Sequence, residues 1–442
     1  MTSRIRLIAV GMSVLALGSL GLVAGGPAAA DLDQWEPPQV VDPAGTDARE
    51  PALTSTQHGR AVVVYGRERG VWVSSRAPGA DASWAAPQRL DNAPRGSVAG
   101  PLATGSGGGA TVFLANKGFF AHMSPTGQWG DARPFPYQDL FTPAKAIARP
   151  VSGVVTVGTT GYGRVRAAVK PSHEPWQLSP GLDLGYAVAR GLWYGGAGRV
   201  HLLVAQHAHA DRHSRGLFEV VLRRDQGDLV WGPLRPLRSG GGTLASVSDV
   251  SVLNTADGAI TVLWQEYDAQ FPFRLRQLVR HRDAAGDWSP IRRLPVPALP
   301  ALVGALDDSG TTRLSYVTRI TDSRAYQVIT RKLLPDGALT DPVQLDGPIP
   351  HDAFPNLDGA TAPGGALLLR WRSIGDDTVE QHFFRCLPGA DCASVGSVVG
   401  PREVSRFSLL AVTPAGAALV AGVDAVEGCP AGQLCSRRLP PS

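Results

Sequence analysis

The chain of 442 residues carries 42 basic and 38 acidic side chains, and only four of the basic residues are lysines. No run of basic residues could follow a phosphate backbone, which argues against nucleic acid as a partner. The sequence also lacks a phosphate-binding loop of the P-loop type, a Gly-x-Ser-x-Gly nucleophile motif and a dinucleotide-binding turn, which argues against those enzyme classes.

Residues 1–30 predict a secretory signal peptide, which leaves residues 31–442 for the fold. Arg4 and Arg6 precede an uncharged apolar run over residues 7–24, and small residues lead to Ala30. This layout is typical of cleavage after Ala30. The alternative is an uncleaved membrane anchor, because the run approaches spanning length. No second apolar run is long enough to span a bilayer, so we expect a secreted, extracellular protein with no membrane span after cleavage.

One short motif recurs along the chain and consists of a turn, a Trp, a proline and a basic or apolar ending. Its Trp residues are 45 to 57 residues apart, and between them lie apolar segments such as RAVVVYG and alternating segments such as GVWVSSRA. Both patterns predict β-strands, and no segment has helical periodicity. Copies occupy residues 34–41, 83–90, 128–135, 175–178, 230–237 and 287–294, with two copies that lack Trp at residues 339–345 and 398–404.

Four short strands in each unit of about 50 residues are typical of a β-propeller. We therefore predict an all-β fold, a single propeller of four-stranded blades, in which each motif Trp packs between adjacent blades. Eight blades are favoured, and seven are the alternative because the unit at residues 136–178 is short. The segment at residues 34–41 has no unit before it, so we expect it to complete the C-terminal blade and remove a sheet edge. A β-sandwich is the other architecture to consider, but sandwiches do not repeat one Trp motif at even spacing.

The turns before several motif Trp residues resemble the Asp-box turns of sialidase-like propellers. They read SPTGQW at residues 124–129, RDQGDLVW at 224–231 and RDAAGDW at 282–288, and none contains the full Ser-x-Asp-x-Gly-x-Thr-Trp pattern. In that superfamily the Asp box is structural and lies away from the active face. The resemblance therefore implies a fold and not a reaction.

The segment DAREPAL at residues 47–53 is similar to the Arg-Ile-Pro motif that opens the sialidase propeller. The resemblance implies that Arg49 contacts a substrate carboxylate. The pattern departs at Glu50, where the family has an apolar residue, and no partner arginines can be assigned. A sialidase-like glycoside hydrolase with Arg49 in this role is therefore the alternative to a binding protein.

A regular row of histidines follows the second strand of the fourth unit, in the stretch QHAHADRHSRG. His207, His209, Asp211 and His213 alternate, so an extended loop would present them on one side. Imidazole and carboxylate groups suit zinc, copper or nickel. The alternative is a solvated polar loop. No cofactor is required by the sequence, and the one candidate cofactor is a transition metal bound at this loop.

Other charged residues fall near the predicted loops on the same face, which carries most ligand sites in propellers. The candidates for ligand binding are Arg49, Arg67, Glu68, Glu266, Asp268, His351, Asp352 and Asp376. The alternative is that these residues are solvated loop positions that bind no ligand. We assign no catalytic residue and expect a secreted, non-enzymatic, monomeric propeller that binds a carbohydrate, a peptide or a cell-surface partner through this face.

Four cysteines form two close pairs near the end of the chain, CLPGADC at residues 386–392 and CPAGQLC at residues 429–435. In an exported chain, disulfides Cys386–Cys392 and Cys429–Cys435 are expected. Zinc fingers of the common types place their cysteines two residues apart, and neither pair has that spacing. Each disulfide would close a small loop and stiffen it locally.

Overall fold

A computed structural model describes most of the chain from residue 34 onward. It covers residues 34–441 except 45–47, 57, 69, 80, 106, 116–117, 138–141, 150–152, 160–163, 172–173, 183, 185, 196–198, 208–213, 240–243, 256–257, 269–274, 296–301, 322, 324, 351–355, 363, 375–377, 402–408, 414, 424–428 and 431–432.

The first half of the chain contributes one isolated strand and then four blades of consecutive antiparallel strands. The isolated strand is β1 (Gln39–Val40). Blade 1 contains β2 (Arg49–Ser55), β3 (Ala61–Arg67), β4 (Gly70–Arg76) and β5 (Gln88–Arg89); blade 2 contains β6 (Val98–Thr104), β7 (Ala110–Ala115), β8 (Phe119–Met123) and β9 (Arg133–Pro134); blade 3 contains β10 (Thr142–Arg149), β11 (Gly153–Thr159), β12 (Val165–Lys170) and β13 (Gln177–Leu178); blade 4 contains β14 (Tyr186–Tyr194), β15 (Val200–His207), β16 (Ser214–Asp225), β17 (Asp228–Trp231) and β18 (Arg235–Ser239).

The second half repeats the same antiparallel order four more times. Blade 5 contains β19 (Leu244–Asn254), β20 (Ile260–Asp268), β21 (Leu275–Arg282) and β22 (Arg292–Leu294); blade 6 contains β23 (Leu302–Leu306), β24 (Thr312–Arg319), β25 (Ala325–Leu333) and β26 (Val343–Pro350); blade 7 contains β27 (Asn356–Thr361), β28 (Leu367–Ile374), β29 (Thr378–Cys386) and β30 (Cys392–Pro401); blade 8 contains β31 (Leu409–Val412), β32 (Ala418–Val423) and β33 (Leu434–Leu439), with β1 as its outer strand.

These blades form a closed ring. The first strand of each blade contacts the first strand of the next, and β31 of blade 8 contacts β2 of blade 1. The described residues thus form eight sheets of an eight-bladed β-propeller, which confirms the predicted fold class. The seven-bladed alternative is wrong, because the short third unit still forms four paired strands.

The N-terminal strand closes the ring, as predicted. In β1, Gln39 pairs with Ser436 and Val40 with Cys435 of β33. Two carboxylates on either side of β1 tie it to blade 1 as well. Glu36 forms an ion pair with Arg76, and Asp42 forms one with Arg67. A sheet edge that would otherwise be open is therefore both paired and held by charge.

Hydrophobic clusters occupy the interfaces between neighbouring blades, all round the ring. The second strand of a blade is buried because each of its faces packs on a different neighbour, and in most blades it is mainly apolar on both faces. In β3, for example, the run from Val62 to Tyr65 is fully buried. This is why those strands read as continuous apolar runs and not as alternating ones.

The motif Trp residues pack against the preceding blade, as predicted. The indole Nε1 of Trp84 donates to Ser436 Oγ of blade 8 at 2.7 Å, and that of Trp288 donates to Glu219 Oε2 of blade 4 at 2.8 Å. Trp231 likewise donates to the Pro180 carbonyl at 2.9 Å. Trp176 packs edge-on against Phe135 of blade 2, with ring centroids 5.1 Å apart.

Two faces of the ring follow from the strand order. We define the upper face as the one with the connections between second and third strands and between blades, and the lower face as the opposite one. Both disulfides form, Cys386–Cys392 at the lower face and Cys429–Cys435 at the upper face. Among the described residues, no helix is long and apolar enough to cross a membrane.

Candidate functional site

The first strands of the blades surround an axial channel with two chambers. The upper chamber has a volume of about 640 Å³ and is lined mainly by blades 3 to 7. The lower chamber has about 610 Å³ and is lined mainly by hydroxyl and aliphatic side chains. Leu192 and Thr361 line both chambers, so the two are contiguous. Volumes of this size are in the range of ligand-binding sites.

β-Bulges shape the upper half of this channel. The pairing register shifts between Pro143 and Lys145 in β10 and between Ala189 and Gly191 in β14. It shifts again between Ser248 and Ser251 in β19. A bulge adds an unpaired residue and changes the direction of nearby side chains, and bulges are common next to functional sites. The chamber wall therefore departs from regular pleating where polar residues line it.

Two cationic residues of the upper chamber lie at these bulges. Arg190 is the extra residue in the β14 bulge, and Lys145 directly follows the one in β10. Lys145 is exposed, whereas the Nε atom of Arg190 is buried and has no hydrogen-bond partner among the described atoms. A buried donor without a partner has a free-energy cost, and a bound acceptor would remove it.

Gln265 places an unused amide in the same wall. It is 1% exposed, and neither its Oε1 nor its Nε2 has a hydrogen-bond partner within the described part of the chain. Gln277 of β21 lies opposite it in the strand register and also lines the chamber. Nearly all buried polar groups in proteins are hydrogen-bonded. Gln265 is therefore a side chain that a ligand or water would satisfy.

Asp358 is the carboxylate that lines the upper chamber. Arg370 binds it through two hydrogen bonds, Nε to Oδ1 at 2.9 Å and Nη2 to Oδ2 at 2.5 Å. Arg372 Nη2 lies 3.8 Å from the same Oδ2. Burial and repulsion from Arg370 lower the pKa of Arg372, and attraction to Asp358 opposes them. Because two arginines hold one carboxylate, Asp358 is not arranged as a general acid or base.

The predicted ligand residues Arg67 and Glu68 lie at the upper face, where they contact each other. Arg67 Nη2 lies 2.8 Å from Glu68 Oε1, and Arg67 Nη1 lies 2.9 Å from Asp42 Oδ2. Tyr65 Oη donates to the same Asp42 oxygen at 2.9 Å. The guanidinium also lies over the ring of Trp72 at 4.7 Å. Arg67 is thus part of the ring closure, and a role in ligand binding stays a prediction.

Glu266, another predicted ligand residue, lies in β20 and is 2% exposed. Its Oε1 accepts hydrogen bonds from Arg238 Nε at 2.9 Å and from Trp264 Nε1 at 3.0 Å. Arg238 therefore neutralises the carboxylate, and this ion pair joins blade 4 to blade 5. Asp268 is the last residue of the same strand.

Arg49 is exposed at the start of β2, where it pairs with Gly66 at the rim of blade 1. It does not line either chamber of the channel as the described residues form it. Lys145 and Arg190 do line the upper chamber. Its proposed contact with a substrate carboxylate, and with it the hydrolase alternative, stays a prediction.

Several predicted site residues fall outside the described part of the chain. His207 is the last residue of β15, and His209, Asp211 and His213 lie in the segment that follows, outside the described residues. His351, Asp352 and Asp376 are outside them too. No group of three metal-ligating side chains is found within the described residues. The metal hypothesis for the histidine loop therefore stays a prediction.

The sequence analysis missed Lys145, Arg190, Gln265 and Asp358 as site residues. One signal was present, because Gln265 directly follows the mainly apolar run ITVLW within β20, where the strand is still expected to be buried. A polar residue in such a run predicts either a buried hydrogen bond or a cavity. The bulges that re-aim Lys145 and Arg190 had no visible pattern in the sequence.

No protein-family model matches the chain, and no curated protein sequence does. Solved β-propeller structures are similar to it at low identity. Virginiamycin B lyase from Staphylococcus aureus is 11% identical, with a TM-score of 0.43 over 77% of this chain and 94% of that one. An ulvan lyase bound to a GlcA–Rha3S saccharide is 11% identical, with a TM-score of 0.44 over 90% and 95%. YCF48 bound to a D1 peptide is 13% identical, with a TM-score of 0.39 over 94% and 99%. None of these matches supports a sialidase-like family assignment, which stays a prediction.

Proposed function

We propose that this protein is a secreted, non-enzymatic propeller that binds an anionic carbohydrate in the upper chamber of its axial channel. The observation that carries the proposal is the buried amide of Gln265, which has no hydrogen-bond partner among the described residues and faces a chamber of about 640 Å³. A site that keeps such a group must recover its cost through a ligand or ordered water.

The charge around the chamber favours an anion. Lys145 and Arg190 line it together with one carboxylate, Asp358, and Arg370 already forms an ion pair with that carboxylate. A concave site lined by one sign of charge concentrates ligands of the opposite sign. Arg370 offsets the negative charge of Asp358, and each carboxylate oxygen keeps a lone pair that can accept a hydrogen bond from a ligand hydroxyl.

The amides favour a sugar over an extended peptide. Gln265, Gln277 and Asn356 line one chamber, and each amide offers both donors and an acceptor. A sugar ring presents several hydroxyls that also donate and accept, so one ring can satisfy several amides at once. The absence of an unpaired carboxylate among the lining residues described supports binding and not glycoside hydrolysis, which needs two carboxyl groups in acid and nucleophile or base roles.

An array of immobilised acidic glycans, neutral glycans and acidic peptides tests the proposal with the intact protein. We expect binding to acidic glycans, weakened about tenfold or more by Arg190→Gln and by Lys145→Gln. Lys170→Gln is the matched control, because Lys170 ends β12 at the lower face and bonds only to backbone oxygens among the described contacts. Binding to acidic peptides alone, or binding that neither chamber variant changes, would contradict the proposal.

A further inference from the structure

The lower chamber of the axial channel has no part in the carbohydrate site proposed above. Its volume is about 610 Å³, close to that of the upper chamber. Leu192 and Thr361 line both chambers, so one ligand can occupy the two together. The lower chamber also shares Ser55 and Ala411 with a further cavity at the lower face, between blades 8 and 1. The channel therefore continues well past the upper chamber.

The two chambers differ in charge. Among the residues described, no charged side chain lines the lower chamber. The same first strands line both chambers, so the contrast lies within each strand. In β10, Lys145 lines the upper chamber and Ala146 and Ala148 line the lower one; in β14, Arg190 lines the upper chamber and Tyr194 the lower one. An anionic group in the lower chamber would lose water without gaining a cation from the described lining.

Hydroxyl and amide groups provide the polar part of the lower wall. Asn254 of β19 adds an exposed amide to it. Two hydroxyls have backbone partners, since Ser55 Oγ donates to the Val412 carbonyl at 2.8 Å and Thr56 Oγ1 accepts from the Arg60 amide at 3.2 Å. A hydroxyl has one donor and two lone pairs, so each can bond to a ligand as well. The hydroxyl residues come from blades 1, 2, 5 and 7 and are Thr54, Ser55, Thr56, Thr104, Thr255 and Thr361.

Two adjacent aromatic residues, Trp193 and Tyr194, line the lower chamber too. Trp193 is 2% exposed, and its indole Nε1 has no hydrogen-bond partner among the described atoms. A buried donor without a partner has a free-energy cost, which a sugar oxygen or an ordered water would remove. A sugar ring has apolar C–H faces and polar edges, so it suits a wall that mixes aromatic and aliphatic groups with hydroxyls. The lower chamber therefore fits a neutral sugar.

The distance between the chambers sets the length of a ligand that occupies both. Arg190 and Tyr194 belong to the same strand, β14, and line different chambers. A strand rises about 3.3 Å per residue, so these two positions lie about 13 Å apart along the wall. A single sugar ring is too short to reach from one to the other, whereas a short chain of linked rings is long enough.

We propose that the channel binds an acidic oligosaccharide along its axis, with a single acidic residue in the upper chamber and the neutral residues that follow it in the lower chamber. This inference rests on the carbohydrate site proposed above, and it adds the length of the ligand and the position of its charge. A glycan with an acid on every residue would bring a second charge into a chamber whose described lining has no cation, and would gain no affinity there.

Calorimetric titration of the full chain with three saccharides tests the proposal. Methyl glucuronide has one acidic ring, glucuronosyl-glucose adds a neutral ring to it, and glucuronosyl-glucuronate adds an acidic one. We expect glucuronosyl-glucose to bind about tenfold or more tightly than methyl glucuronide, because the second ring gains hydrogen bonds in the lower chamber. We expect glucuronosyl-glucuronate to bind no more tightly than methyl glucuronide.

Variants of the lower chamber show where the neutral ring binds. Asn254→Trp should fill the chamber without loss of fold, because Asn254 is exposed and lines it. It should remove the gain from the neutral ring and leave the binding of methyl glucuronide unchanged. Thr104→Val deletes a lining hydroxyl at similar shape and should reduce the gain severalfold. Val343→Trp is the matched control, because Val343 is exposed on β26, the outer strand of blade 6.

The possible outcomes separate this inference from the function on which it rests. Equal binding of methyl glucuronide and glucuronosyl-glucose would overturn the inference and leave the carbohydrate site in place. A diacid that binds as tightly as glucuronosyl-glucose would overturn it too, as would a gain that survives both Asn254→Trp and Thr104→Val. Absence of binding by all three saccharides would also overturn it, and the glycan array then shows whether the carbohydrate site fails as well.

Discussion

Replacement of Gln265 by leucine tests whether this side chain binds a ligand or stabilises the fold. Gln265 is 1% exposed, and its amide has no hydrogen-bond partner among the described residues. A buried polar group without a partner costs about 1–3 kcal/mol, and an apolar residue of similar shape removes that cost. We therefore expect Gln265→Leu to raise the free energy of unfolding by about 1 kcal/mol and to weaken glycan binding.

Gln381→Leu is the matched control, because Gln381 is equally buried but accepts a hydrogen bond from Arg370 Nη1 at 3.1 Å. Its loss leaves a buried guanidinium short of an acceptor and should lower the free energy of unfolding by about 1–3 kcal/mol. Denaturant titration followed by two probes measures both changes and checks that the transition is cooperative. If Gln265→Leu destabilises the protein as much as Gln381→Leu does, the amide already has a partner and the reasoning is refuted.

Three further predictions concern pH, metal and hydrolysis. Burial and the hydrogen bond to Asp42 raise the pKa of Tyr65 well above its usual value of 10.0. The neutral phenol therefore contributes stability that is complete below about pH 10 and is lost as the pH rises beyond it. Tyr65→Phe should flatten the decline in melting temperature at alkaline pH. A decline that the variant leaves unchanged would count against this explanation. For the predicted histidine loop, replacement of His207 and His209 by alanine should change the free energy of unfolding by no more than about 0.5 kcal/mol. Elemental analysis of the purified protein decides whether a metal is bound. Absence of a bound transition metal after mild purification would retire the metal hypothesis. Finally, we expect no release of fluorophore from an aryl sialoside, and activity that Arg49→Ala abolishes would instead establish the hydrolase alternative.

The propeller could be predicted from the sequence because its Trp motif marks a repeated packing position. Each motif Trp fills the space against the preceding blade, as Trp84 and Trp288 do with their indole hydrogen bonds. The prediction also holds where the Trp is missing. Leu339 occupies the equivalent bridge position in blade 6 and packs in the cluster between blades 5 and 6. A large apolar residue at a fixed place in the repeat was a sufficient signal.

The candidate site could not be predicted in the same way, because it depends on departures from the repeat. Arg190 and Lys145 line the upper chamber where bulges shift the register of β14 and β10. A one-residue slip reverses which side chains face inward, and the local sequence does not show where it occurs. Glu266 shows the converse, since its charge suggested a loop site and it is buried against Arg238 and Trp264.

The pairing of β1 with β33 has a consequence for how the chain folds. The outer strand of blade 8 comes from the first described residues, and its neighbour comes from the last ones. Seven sheets can form one after another as the polypeptide lengthens, but the eighth stays incomplete until β33 has been synthesised. Cooperativity across the whole ring should therefore appear only once β1 pairs with β33, and deletion of either strand should cost far more stability than a deletion of the same length in a surface turn.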